Sequence, residues 1–121
     1  MAIRALRGAT QVEVDDRDAI IDATAELIRE VLARNSLTPD YLISVIFTTT
    51  PDLTAEFPAY AARTIGITDV PFLCAGEIDV PGATPRVIRL MAHVEADFGR
   101  ADARHVYLRG AAALRTDLPR D

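Results

Sequence analysis

Apolar and polar positions change period along the chain, and the changes mark out its elements. In residues 2–9 the pattern alternates, with Ile3, Ala5, Arg7 and Ala9 on one side and Leu6 and Gly8 on the other. That period of two predicts a strand. Beyond it, Ile20, Ile21, Thr24, Leu27, Ile28, Val31 and Leu32 recur at helical spacing and predict a helix to about Asn35. Asp15 or Asp16 caps it, and Asp15, Asp16 and Asp18 suit the positive end of its dipole. Asn35-Ser36 stops the helix, and Thr38-Pro39-Asp40 forms a turn.

Tyr41 to Thr49 is nearly continuous in apolar residues, as expected of a strand buried on both faces. Residues 48–52 read as a loop. Phe57-Pro58-Ala59 opens a short second helix, with Pro58 where a first turn tolerates it, ending at Gly66. Val70 to Ile78 reads as a strand and Pro81-Gly82 as a turn. Thr84-Pro85 then predicts the cap of a third helix through about Ala96, with Val87, Met91 and Val94 as its stripe. Arg104 to Arg109 is a last strand, and Ala111 to Leu114 either extends the sheet or makes one helical turn. This β-α-β-α-β-α-β order would suit a doubly wound fold. The second helix is too short for that crossover, so a mixed α+β sheet is expected instead.

Length predicts one domain over residues 1–121, with a polar tail at 117–121 that frays. Eighteen acids against thirteen bases give a net charge of −5, which argues against a basic nucleic-acid-binding surface. No apolar run approaches the ~18–20 residues of a membrane span, and the N-terminus lacks the apolar core of a signal peptide. A single Cys leaves no internal disulfide or multi-Cys zinc site and points to the cytoplasm. All thirteen bases are Arg. Without Lys there is no Schiff base, Walker-type lysine or amine nucleophile. Twenty alanines beside this bias point to a GC-rich coding sequence, which does not explain where each Arg sits.

Several positions carry candidate chemistry. Arg7 shares a strand face with Ile3 and Ala5; either it is a costly internal charge that needs a partner, or the strand end emerges into water. Glu77, in an otherwise nearly uncharged segment, is its natural partner or else an exposed acid. Cys74 and Glu77 point to opposite faces unless Gly76 bulges. On a third helix, Arg86 and Arg89 would share a face that is either solvated or turned to a ligand or subunit. Arg63 is either a helix-end cation or an anion ligand. Cys74 lacks a base at any characteristic spacing, so a buried inert thiol is the simpler reading. Tyr107 reads as a core tyrosine with a tethered hydroxyl. No phosphate-loop, zinc-protease or nucleophile-elbow motif occurs, and no His and carboxylate cluster has metal-ligand spacing. Several oddly placed Arg, one Glu and no nucleophile suit binding of a small carboxylate through forked donors.

Five ordered segments carry a resemblance: residues 3–10 (IRALRGAT), 50–59 (TPDLTAEFPA), 70–80 (VPFLCAGEIDV), 88–91 (IRLM) and 104–108 (RHVYL). Together they resemble the monofunctional chorismate mutases of the AroH, bacillary class, to about Leu118. The resemblance implies a mixed sheet with helices on one face, assembled as a trimeric pseudo-α/β barrel with active sites between subunits. It also implies unimolecular rearrangement of chorismate to prephenate without cofactor, metal or covalent intermediate. Arg89 would face the breaking ether oxygen, Arg7 would clamp a carboxylate, and Glu77 would accept from the ring hydroxyl with Cys74 beside it. Tyr107 would donate to the enolpyruvyl carboxylate. Phe57 and Arg63 would come from the neighbouring subunit, Ala59, Tyr60 and Leu73 would line the pocket, and Leu114 and Arg115 would border its mouth. Some relatives carry Lys where this chain has Tyr60, which implies a rim with one positive charge fewer. The competing classes are a trimeric carboxylate-binding or regulatory module without turnover, and a lyase or hydrolase acting on chorismate, which no acid–base pair supports.

Overall fold

A computed structural model describes residues 1–113. Strand β1 (Ala2–Gln11) is followed by helix α1 (Arg17–Arg34) and strand β2 (Leu42–Thr49). Helix α2 (Ala59–Thr64), strands β3 (Phe72–Gly76) and β4 (Val87–Ala96) and the short strand β5 (Val106–Tyr107) complete the elements that matter here. The sheet runs β3-β2-β4-β1-β5. Strand β4 is antiparallel to both β1 and β2, while β2–β3 and β1–β5 are parallel. The expected mixed α+β sheet is therefore present.

The expected third helix is not. Residues 87–96 form β4, the central strand. Ile88, Leu90, Ala92, Val94 and Ala96 are all buried, and this period of two is a strand's. The stripe of Val87, Met91 and Val94 also fits helical spacing, so local pattern alone does not decide. Ladders to β1 and β2 on both sides decide it. The strands predicted over 70–78 and 104–109 shrink to their paired cores, and Arg109–Ala113 forms a 3-10 turn.

One face of the sheet is packed. Asp16 caps α1 by accepting from the Ala19 amide at 3.0 Å. The helix then lays Leu27, Ile28 and Val31 against Leu6, Phe47, Leu90 and Val94. Gly8 permits the close approach: a Cβ there would lie 3.1 Å from both Leu27 Cδ1 and Val31 Cγ2. Asn35 closes the helix, its amide donating to the Val31 and Arg104 carbonyls at 2.7 and 2.9 Å. Helix α2 joins the same layer with Ala61 and Ala62 buried.

Among the described residues the opposite face carries no layer. In β2, Val45 and Phe47 are buried but Ile46 is 36% exposed. The apolar run that predicted burial on both faces is thus covered on one. Ile3 (66%) and Leu73 (61%) are open too.

Candidate active site

The register of four neighbouring strands, β2, β4, β1 and β5, gathers polar groups on the uncovered face. Arg89 of β4 stands opposite Thr48 of β2 on one side and Ala9 of β1 on the other. Arg7 pairs with Met91, and Tyr107 of β5 lies beside Ala9. Arg7, Arg89, Thr48, Tyr107, Ile46 and Met91 help line one open cavity of about 460 Å³. Tyr107 is nearly buried, packed with Ala9, Val87 and Ala111. Arg7 is exposed, and its amide donates to His105 Nδ1 at 3.0 Å. That imidazole takes an edge amide of β1 where the two-residue β5 stops pairing.

Glu77 follows β3 directly. Its amide donates to the Thr49 carbonyl at 2.9 Å, extending the β2–β3 ladder by one bond. Its carboxylate accepts from Thr48 Oγ1 at 2.6 Å and from Arg89 Nη1. Glu77 therefore pairs with Arg89, not with Arg7 as the sequence suggested. The pairing holds one end of a planar five-donor fork and aims the rest. Arg89's side chain is 42% exposed, so it meets both its partner and the open cavity.

Arg86 and Arg89 do not share a face, because three residues along a strand reverse the side. Arg86 precedes β4, and its Nε donates to the Val12 carbonyl at 2.9 Å.

A second group of residues lies at the β3 edge. Phe57, 69% exposed, and Cys74 line a separate cavity of about 360 Å³. Cys74 is in register with Phe47 and packs against the core. The β2–β3 ladder runs without a register shift, so no bulge brings Cys74 beside Glu77. Leu73 stands next to Ile46 on the uncovered face. Ala59 begins α2, and Arg63 is exposed near its end. Arg17 places its guanidinium 5.0 Å from the Tyr60 ring centroid while Nε binds Glu56 at 3.0 Å. Leu114, Arg115 and the 117–121 tail lie outside the described residues.

The loop before α2 is tied down by Asp15. Its carboxylate accepts from Thr54 Oγ1 at 2.8 Å and from the Thr54 and Ala55 amides at 3.0 Å. These bonds, the Thr54 hydroxyl's first, hold the Asp15 carboxyl below its ordinary pKa.

Residues 3–118 match the family described as chorismate mutase type I. The chain belongs to this family. It is 50% identical to chorismate mutase AroH of Thermus thermophilus over 117 residues, covering 96% of each protein. To chorismate mutase AroH of Bacillus subtilis it is 40% identical over 119 residues, covering 98% of this chain and 94% of the relative. A solved chorismate mutase from Clostridium thermocellum superposes with a TM-score of 0.88 at 47% identity, over 89% of this chain and 96% of that one.

Five segments of the chain resemble the chorismate mutases of this family. They fall on β1, the loop before α2, β3 with its exit, β4 and β5. Thr48 is not among the sequence candidates, because it lies where the predicted strand 41–49 overlaps the predicted loop 48–52. Its signal was present all the same: it lies two residues beyond Ile46 on one strand face. In sequence Asp15 is only a candidate cap and an acid at the start of α1, and nothing there singles out Arg17.

Proposed function

We propose that this chain rearranges chorismate to prephenate, in aromatic amino acid biosynthesis, at sites completed between three copies. The carrying observation is the cavity on the uncovered face. There two guanidiniums, a phenol and a threonine hydroxyl converge over an apolar floor. That set suits a dianion whose rearrangement needs no proton transfer.

Two effects lower the barrier. Arg7 and Tyr107 hold carboxylates and so fix the enolpyruvyl arm over the ring. Arg89 faces the ether oxygen, which gains negative charge as its C–O bond breaks, and a donor already held in place stabilises that charge. Glu77 orients Arg89 and accepts from the ring hydroxyl.

The distribution of the remaining residues supports assembly. β3 and β5 are opposite edges of the sheet, four strand spacings or ~19 Å apart. Phe57 and Arg63 sit with α2 by the β3 edge, while Arg7 and Tyr107 sit by β5. In a homotrimer one chain's β3 edge covers its neighbour's Arg7–Arg89 face, and open apolar residues such as Ile46 and Leu73 become buried. Among the described residues no helix is long and apolar enough to cross a membrane. Together with the single cysteine this supports a cytoplasmic site of action.

The test mixes purified protein with chorismate, follows loss of its absorbance, and acidifies to detect phenylpyruvate. Turnover above background, lost in Arg89→Ala, and a sedimentation mass three times the chain's are expected. No rate above background, with Arg89→Ala the same as wild type, overturns the enzyme reading and leaves a carboxylate-binding module.

A further inference from the structure

Arg86, immediately before β4, has φ 53. A non-glycine residue rarely adopts this left-handed conformation. The surroundings show what holds it there. The Arg86 amide donates to both carboxylate oxygens of Asp52, at 3.0 and 3.2 Å. Asp52 also accepts from Thr50 Oγ1, and that hydroxyl accepts from the Val87 amide at 3.0 Å. On the other side, Val12 donates its amide to the Arg86 carbonyl at 3.0 Å and accepts from Arg86 Nε at 2.9 Å. Gln11 Nε2 holds the Pro85 carbonyl at 2.8 Å. The ends of β1 and β2 thus grip the first residues of β4 from both sides.

Arg89 lies three residues beyond this corner. Its guanidinium must meet Glu77 across β2, and Thr48, its cross-strand neighbour, is two residues before Thr50. We infer that Asp52 is a positioning residue for Arg89: its carboxylate holds Arg86 left-handed, which fixes the path of β4 as it enters the site. The inference rests on the proposed mutase activity, and Asp52 itself is given no contact with substrate.

The experiment compares wild type, D52N, D52A, R86G and D52A/R86G by steady-state kinetics and by amide hydrogen exchange over residues 86–89. Asn keeps an acceptor oxygen, so D52N should retain kcat within about threefold. D52A should lose about tenfold or more in kcat, from a small displacement of Arg89. Its KM should change less than about threefold, since Arg7 and Tyr107 still hold the substrate. Glycine adopts positive φ unaided, so D52A/R86G should return to within about threefold of R86G. Wild-type kcat in D52A, or a double variant still about tenfold or more below R86G, overturns the inference. If D52A does not fold, the double variant alone decides. If wild type proves inactive, the function falls while exchange still judges the clamp. Faster exchange at 86–89 in D52A, slowed again in D52N, supports it, and unchanged exchange overturns it.

Discussion

Thr48 and Arg89 face each other across β2 and β4 and bind the same carboxylate, that of Glu77. The group proposed to stabilise transition-state charge is therefore not a loose surface arginine. It is held by an acid from β3's exit, which is itself held by a hydroxyl of the intervening strand.

Removing the charge while keeping some length, Arg89→Gln, should lower kcat by about 10²–10³, the usual loss for one donor aimed at a developing anion. The decline of chorismate absorbance at saturating substrate reads it. A loss confined to KM would mean that Arg89 binds the substrate and transition state equally.

Thr48→Val keeps the shape and deletes the hydroxyl. Glu77 then loses one donor, worth about 1–2 kcal/mol to a charged acceptor, and kcat/KM should drop roughly 5- to 30-fold. Chemical denaturation should show a smaller change, since Thr48 faces the open cavity. Equal kinetics in Thr48→Val would show that Glu77 and Arg89 need no third member.

Asp15→Ala should lower the melting temperature at pH 7 by releasing the loop that ends at Phe57. Because hydrogen bonds depress the folded-state pKa of Asp15, its stabilisation is present above the ordinary carboxylate range. It is lost as pH falls through the depressed folded value. The difference between wild type and Asp15→Ala should thus stay level through neutral pH and narrow in strong acid. A gap that widens on acidification contradicts the assignment.

Tyr60→Lys addresses the rim. Arg17 already stacks there, but Glu56 at 3.0 Å and Asp18 at 3.6 Å offset its charge. Adding a cation should lower KM for the dianion at low ionic strength, with the gain screened away as salt rises. A KM indifferent to both salt and substitution would remove position 60 from substrate capture.

Much of this was legible in sequence because local pattern and tertiary setting agree. Alternation in β1 and the stripe of α1 each have a single fitting period. Residues 87–96 fit two periods, and Thr84-Pro85 resembles a helix start, so the strand becomes evident only when its neighbours are in place. The two periods imply different sites. On a helix Arg86 and Arg89 belong together; on a strand they part, and Arg89 meets Glu77. Pairings such as Arg89–Glu77–Thr48 join three strands remote in sequence, and no local spacing encodes them. The five resembling segments contain Arg7, Phe57, Glu77, Arg89 and Tyr107 without revealing which of them touch.

The uncovered sheet face has a consequence for how this protein tolerates change. β1, β2 and β4 each serve the hydrophobic interior with alternate residues and the cavity with those between. No strand is a neutral frame for the others. A library of single substitutions in β4, scored once for cellular abundance and once for turnover per molecule, should split by parity. Substitutions at Ile88, Leu90 and Ala92 should deplete the protein, and those at Arg89 and Met91 should leave it abundant but slow. Such a chain has few silent positions in its sheet, and its strands should drift more slowly over evolutionary time than the solvent-facing side of α1.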